Sequence, residues 1–303
     1  MRKIDIIKMI LLVVLSFSLL EAKEYKVGFA QDTLANDWRK AQVDEFVNHA
    51  KKYDFLKVDV KDAQSSVAKQ LLHIEEFIRE DYDFIVTSPI NAQITSQVLK
   101  KALDKDIKVI LLSRGVADDS YTTFIRPDNK KIAKEAAEFL LEKMDYKGSV
   151  LMLQGVAGAT STIQREEGFE EVAKNYPNID IIKARGNYLR NDAIKVVEEL
   201  YAKGIRFDAI YAHSEGMISG AKAVMDKHQD NRDIPIVGID YIQEAKEAIL
   251  RGDQLASFTY PTSSKEGVEA IVDIIEGKSV PKDIIIDTLM VDKKNVSKIK
   301  PIF

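Results

Sequence analysis

Residues 84–113 read FIVTSPINAQITSQVLKKALDKDIKVILLS, and this stretch decides the fold. Phe84 to Ser88 and Lys108 to Ser113 are short, apolar, β-rich runs. Between them Ala92 to Asp104 has helical length and sets Ile94, Val98, Leu99 and Ala102 on one face. Strand, amphipathic helix, strand is the repeating unit of a parallel sheet covered by helices on both faces.

The same alternation runs outward in both directions. Upstream lie strands at Lys26 to Gln31 and Lys57 to Val60, with helices at Lys40 to Lys52 and Val67 to Glu80. Downstream a second series places strands at Ser149 to Gln154, Asp180 to Lys183, Ala209 to Ala212 and Ile236 to Ile239. The architecture repeats without a clear sequence repeat, and the whole is too long for one continuous sheet. The reading is therefore α/β, with two similar doubly wound parallel-sheet lobes.

Three extended pieces connect the series. Tyr121 to Asn129 runs through Pro127, whose ring forces Arg126 away from helical angles. Leu255 to Tyr260 ends at Pro261, and Ile284 to Leu289 follows a last helix, Lys265 to Glu276, that closes on Gly277. Three crossings make a hinge rather than a loose linker. The expected lobes are residues 23–127 plus 261–287 and residues 128–260 plus 288–303.

Composition narrows the function. The chain has 303 residues, 46% of them hydrophobic, enough for a sizeable core. Its 44 Lys plus Arg against 48 Asp plus Glu give a formal charge of -4 without blocks, so nucleic acid is not an expected partner. With no cysteine, disulfides, thiolate nucleophiles, cysteine-held zinc and lipid attachment through cysteine are excluded. Residues 1–22 have the form of a secretory signal: Arg2, Lys3 and Lys8 precede the apolar run Met9 to Leu20, and Ala22 supplies the small residue before cleavage. That run is short for a membrane span, so the expectation is an exported, soluble, periplasmic monomer.

Ligands of open α/β sheets bind beyond the carboxyl ends of the strands. Asp32, Trp38 and Arg39 follow the first strand, and Ser113 and Arg114 end the fourth. Trp38, the single tryptophan, is either helix packing or a flat platform for a ligand ring. Arg114 is a planar donor fork for hydroxyls or a carboxylate. In the second series Arg165 follows the turn Gly155 to Ser161, which lacks the P-loop Lys-Ser/Thr and is not GxGxxG. Tyr188, His213, Ser214 and Asp240 follow later strands. Asp240 could instead cap the helix after it, and His213 reads most simply as a satisfied, partly buried imidazole.

The run Leu153-Gln154-Gly155-Val156-Ala157-Gly158, with Gln164-Arg165-Glu166-Glu167-Gly168-Phe169, resembles the second-lobe signature of type I periplasmic sugar-binding proteins of the ribose-binding kind. Val237-Gly238-Ile239-Asp240, Asp128-Asn129 at the first crossing and the order of elements fit the same family. The opening Val27 to Gln31 with Trp38-Arg39 is more similar to its galactofuranose-binding branch. The resemblance implies a non-enzymatic receptor without a cofactor that closes on a small sugar or sugar-like ligand. Its partner would be the membrane permease of an ABC transporter or a periplasmic sensor domain.

By matched position Trp38 and Tyr188 would be opposing aromatics, and Arg114 a first-lobe donor. Arg165 and Asp240 would pair on ring hydroxyls, with Asp32 and Arg39 as further contacts and Tyr260 at the hinge. The departures are Ser113-Arg114 where the family has Asp-Arg, Ser214-Glu215 where it has Asn-Asp, and an added Arg126. A lost carboxylate and a gained arginine imply a more positive pocket, suited to a sugar acid, a furanose or a polyol rather than ribose. No GxSxG, catalytic triad or cysteine supports an enzyme, and a signal stands where a transcription regulator of this fold would carry its helix-turn-helix.

Overall fold

Strands that present apolar side chains to both faces are stable only when both faces are covered. Of the chain's 303 residues, the computed structural model describes residues 23–303; the signal expected at 1–22 lies outside them. The first series is β1 (Tyr25–Gln31), α1 (Asp37–Ala50), β2 (Leu56–Asp62), α2 (Val67–Arg79), β3 (Phe84–Thr87), α3 (Ala92–Asp104), β4 (Lys108–Leu112) and β5 (Thr123–Pro127). The second is α4 (Asn129–Lys143), β6 (Gly148–Gln154), α5 (Thr160–Ala173), β7 (Ile179–Arg185), α6 (Arg190–Ala202), β8 (Ala209–Ala212), α7 (Glu215–Lys227), β9 (Ile236–Asp240), α8 (Gln243–Arg251) and β10 (Ala256–Thr259). The chain then adds α9 (Ser264–Ile275), β11 (Asp283–Ile286) and β12 (Met290–Asp292).

The strands form two six-stranded sheets, ordered β11-β5-β4-β3-β1-β2 and β12-β10-β9-β8-β6-β7. Every pairing is parallel except β10 with β12, which is antiparallel. The chain passes between sheets at Asp128, at residues 260–263 and at residues 287–289. The third extended piece, Ile284 to Leu289, is thus most of β11 and the crossing itself: β11 pairs with β5 in one sheet, and β12, which starts just after it, pairs with β10 in the other. Gly277, at φ 77, lies in the left-handed region that stops α9.

The helix in the deciding stretch covers Ala92–Asp104 as expected, but its buried face is Val98, Leu99 and Ala102 with Thr95 and Ser96. Ile94 is 44% exposed, one turn too early to reach the core. α1 starts three residues before the expected Lys40 because Asn36 caps it, accepting from the Arg39 amide at 3.0 Å. That earlier start carries Trp38 and Arg39 onto the helix.

Two glycines set the helix spacing in the second lobe. A Cβ at Gly168 of α5 would lie 2.6 Å from the Lys130 carbonyl oxygen of α4. One at Gly220 of α7 would lie 2.5 Å from the Arg190 carbonyl of α6. Gly168→Leu should therefore destabilise the protein by about 1–3 kcal/mol through overpacking, read as a lower urea midpoint. An unchanged midpoint would mean that the helices part without cost.

Candidate functional site

The carboxyl ends of both sheets face each other across a cleft, and the first wall is built around one carboxylate. Asp32, just past β1, lies between Arg39 (Nε to Oδ1, 3.1 Å) and Arg114 (NH1 to Oδ2, 2.7 Å). Arg39 also donates to Gln42 Oε1 (2.9 Å), Ser88 Oγ (3.1 Å) and Ser113 Oγ (2.9 Å). All three charges are buried. Asp32 thus orients two forks, while Arg114 keeps its Nε without a partner. Burial, with Arg114 adding to it, lowers the Arg39 pKa to about 10, so the group stays charged at neutral pH. Ser113 stands behind Arg39 and is not part of the cleft lining, whereas Asp32, Arg39 and Arg114 are.

The opposite wall holds the second acid. Arg165, buried in α5, donates from Nε to Asn129 Oδ1 (2.9 Å) and from NH1 to the His213 carbonyl. Its guanidinium lies 4.4 Å from the centre of the Tyr260 ring. Asp240 ends β9 at φ 115, and Tyr241 follows at φ 48. Two successive non-glycine residues there cost about 1–3 kcal/mol each. Among the described residues no side chain hydrogen-bonds to the Asp240 carboxylate. Burial pushes its pKa up to about 7, against the lowering pull of Arg165, Arg39 and the backbone amide of Glu215. The alternative of a cap for α8 does not hold, because Ile242 occupies that position.

Tyr188 is fixed by its hydroxyl, which bonds Ser161 Oγ (3.0 Å) and Thr162 Oγ1 (2.9 Å). A Cβ on Gly155 would fall 2.0 Å from the ring, so only glycine fits beneath it. Across the cleft the Arg114 guanidinium lies 5.1 Å from the ring centre. Trp38 combines both readings: it lines the cleft, and it packs against the Tyr260 ring (5.4 Å between centres) while Nε1 donates to the Tyr260 carbonyl at 2.9 Å. Tyr260 and Ser214 also line the cleft, although the Ser214 hydroxyl has no partner. His213 is fully buried and only half satisfied: Nδ1 accepts from the Gly155 amide (3.3 Å), while Nε2 has no partner. Burial, then Arg165 and Arg185, pushes its pKa well down, so the ring is neutral.

Arg126 departs from the expectation of a more positive pocket. It sits within β5, over the Phe124 ring at 5.1 Å, and does not line the cleft. The contacts that join the walls were not read from sequence. Asn36 Nδ2 donates to the Tyr188 carbonyl (2.7 Å), the Ala92 amide to the Gly158 carbonyl (3.1 Å) and the Gly115 amide to Thr160 Oγ1 (2.9 Å). Asn36 carried a signal, a side-chain acceptor three residues before Arg39; the other two are backbone donors, on which sequence is silent. The lobes are therefore closed on each other around about 570 Å³, counting the part open to solvent.

A buried acid missed by the sequence reading stands behind Asp240. Glu215 accepts from Ser257 Oγ (2.5 Å) and from Gln254 Nε2 (3.1 Å to each oxygen). Burial raises its pKa to about 8; Ser257 and Gln254 oppose the rise, and Asp240 and Glu244 add to it.

Comparison with known proteins gives a consistent result. A family model described as a periplasmic binding protein domain matches residues 27–279. The galactofuranose-binding protein of Escherichia coli is 31% identical over 241 residues, 76% of each chain. The ribose import binding protein of Bacillus subtilis is 27% identical over 266 residues, 86% of this chain and 85% of its own. Among solved structures, the fructose-binding periplasmic domain of a hybrid two-component system superposes with a TM-score of 0.85 at 27% identity, covering 90% of this chain and 92% of that one.

Two outcomes follow from the buried charges. Asp32→Ala strands two guanidiniums and should cost about 3–5 kcal/mol in a urea titration; a loss under about 1 kcal/mol would mean that water screens them. A carboxyl with a raised folded pKa destabilises as it ionises, so Glu215 subtracts stability as pH rises from about 4.5 through about 8. Melting temperatures of Glu215→Gln should therefore fall less than wild type between pH 5 and pH 9 (roughly the window spanned by those two values), and parallel curves would contradict the assignment.

Proposed function

The chain belongs to the periplasmic binding protein family, and on that premise we propose that it closes its two lobes on one small sugar or sugar-like ligand. Its relatives are sugar-binding transport proteins, and the chain is a binding protein, not an enzyme. The observation that carries the reading is the division of the site. Asp32, Arg39 and Arg114 come from one lobe, Arg165, Tyr188 and Asp240 from the other, and Trp38 and Tyr260 stand at the hinge. Sugar hydroxyls donate and accept at once, and their C–H faces stack on aromatic rings, so such a rim matches them. The lobes proposed to move are residues 23–127 plus 261–287 against residues 128–260 plus 288–303.

Closure without ligand leaves the Asp240 carboxylate buried with no side-chain donor, which is costly. Ligand hydroxyls supply that donor, so binding and closure reinforce each other. Among sugars we favour a furanose or a polyol. Asp32 already takes up much of the charge of Arg39 and Arg114, and Asp240 would repel an acid. The likeness to galactofuranose-binding relatives points the same way.

The closed receptor presents its cargo to an ABC importer. A second reading, delivery to a sensor domain, is favoured by the likeness to the two-component fructose-binding domain. Removing the gene would abolish uptake of the sugar in the first case, and only the response to it in the second.

The direct test follows Trp38 emission and melting temperature across pentoses, hexoses, furanosides, polyols and sugar acids. A furanoside or polyol should raise the melting temperature, since a ligand of the folded state stabilises it. Asp240→Ala and Arg165→Ala should abolish that shift; the ligand-free melting temperature should stay nearly unchanged in Asp240→Ala and fall in Arg165→Ala, which leaves Asn129 and the His213 carbonyl without their buried donor. Unchanged affinity in either variant would sink the proposed site.

A further inference from the structure

The strained turn that presents Asp240 is held from behind. The Tyr241 amide donates to Ser257 Oγ at 3.0 Å, and the Ser257 hydroxyl donates to Glu215 Oε1 at 2.5 Å. The backbone amide of that same Glu215, at the head of α7, draws the Asp240 pKa down. Two hydrogen bonds thus link the residue after Asp240, through Ser257 of β10, to Glu215 at the head of α7.

Its surroundings are shaped for it. Ser257 pairs with Gly238 across the β10–β9 ladder, and a Cβ on Gly238 would lie 2.3 Å from Glu215 Oε1. Gln254, which also donates to the Ala256 carbonyl, fixes the outer side of the carboxyl. Glu215, Gln254 and Ser257 are all buried, in a place that apolar side chains could fill more cheaply if packing were the only need. Ser214, in the cap position of α7, makes no capping bond.

We propose that Glu215 is a positioning residue for the sugar site, acting through Ser257 and the Tyr241 amide to hold Asp240 in its left-handed conformation with the carboxylate turned into the cleft. It touches no ligand itself. The role rests on the sugar-binding reading, and the experiment separates the two.

The first arm needs no ligand. The full chain is labelled with 15N-tyrosine, and the Tyr241 amide is identified among the 11 tyrosines by its loss in Tyr241→Phe. Its hydrogen exchange should quicken at least about tenfold in Ser257→Ala and Glu215→Ala. Glu215→Gln, which keeps an oxygen for the Ser257 hydroxyl, should stay within about threefold of wild type. The second arm titrates the same proteins with methyl β-D-galactofuranoside and D-fructose. Ser257→Ala and Glu215→Ala should weaken binding about tenfold, with Glu215→Gln restoring most of it. In an Asp240→Asn background Glu215→Ala should add less than about twofold, because the two act as one unit.

Wild-type exchange in Ser257→Ala or Glu215→Ala overturns the positioning role whatever the sugars do. Altered exchange with full affinity overturns it as well. Altered exchange when wild type binds neither sugar defeats the choice of ligand and leaves the link from Glu215 through Ser257 to Tyr241 standing.

Discussion

A carboxylate buried at the end of a sheet must be met by donors, and the two acids of this cleft are met unequally. Asp32 holds two guanidiniums at 3.1 and 2.7 Å, whereas Asp240 receives no side-chain donor at all. The first wall is consequently complete before anything binds: Asp32 orders Arg39 and Arg114, and Arg39 ties together the ends of β3 and β4 through Ser88 and Ser113. The second wall is built around a deficit. Its acid sits on a strained turn, beside a guanidinium already committed to Asn129 and to the His213 carbonyl. Preorganisation on one side and an unmet demand on the other make a site open to a molecule that can donate hydrogen bonds to Asp240, as the proposed ligand would.

The hinge transmits that demand. Trp38 belongs to a helix of the first lobe, yet its indole donates to the Tyr260 carbonyl on the second crossing and packs among residues of the second lobe's core. Gln42, one turn along the same helix, donates to the Thr262 carbonyl at 2.7 Å. The crossing that passes the cleft is thus anchored by side chains of the helix that also carries Arg39, so the proposed rotation of the lobes would be mechanically linked to the geometry of the site.

Much of this was legible in the sequence, and the parts that were not have physical reasons. Period and strand-end position revealed the two lobes, the three crossings and the residues around Asp32, Arg165 and Asp240, because burial on both sheet faces leaves a strong imprint. The Ile94 side chain misled because helical spacing marks a face without saying how far along the helix the core reaches, and Ile94 lies one turn short of it. Arg126 misled because an arginine near a crossing is cheap to place over a neighbouring phenylalanine ring. Glu215 was passed over as half of a departure from the family pattern, since nothing local says that a glutamate will be buried; that follows from the glycine opposite it and the serine on the next strand. Backbone donors that close the cleft, such as the Gly115 amide, carry no residue identity to read.

The third crossing has a consequence for how the chain acquires its structure. The first sheet takes its edge strand β11, and its core takes Val268 and Ile271 of α9, from residues that follow the entire second lobe. The second sheet in turn waits for β12 at residues 290–292. The first lobe therefore cannot complete its core until the whole second lobe has been made, and the second lobe waits for Val291 and Val296 to finish only the small cluster around Tyr241. Closure of these loops is long-range and therefore slow. The nascent polypeptide consequently carries an open first lobe, its sheet and helix layer incomplete, until residues 264–286 are available.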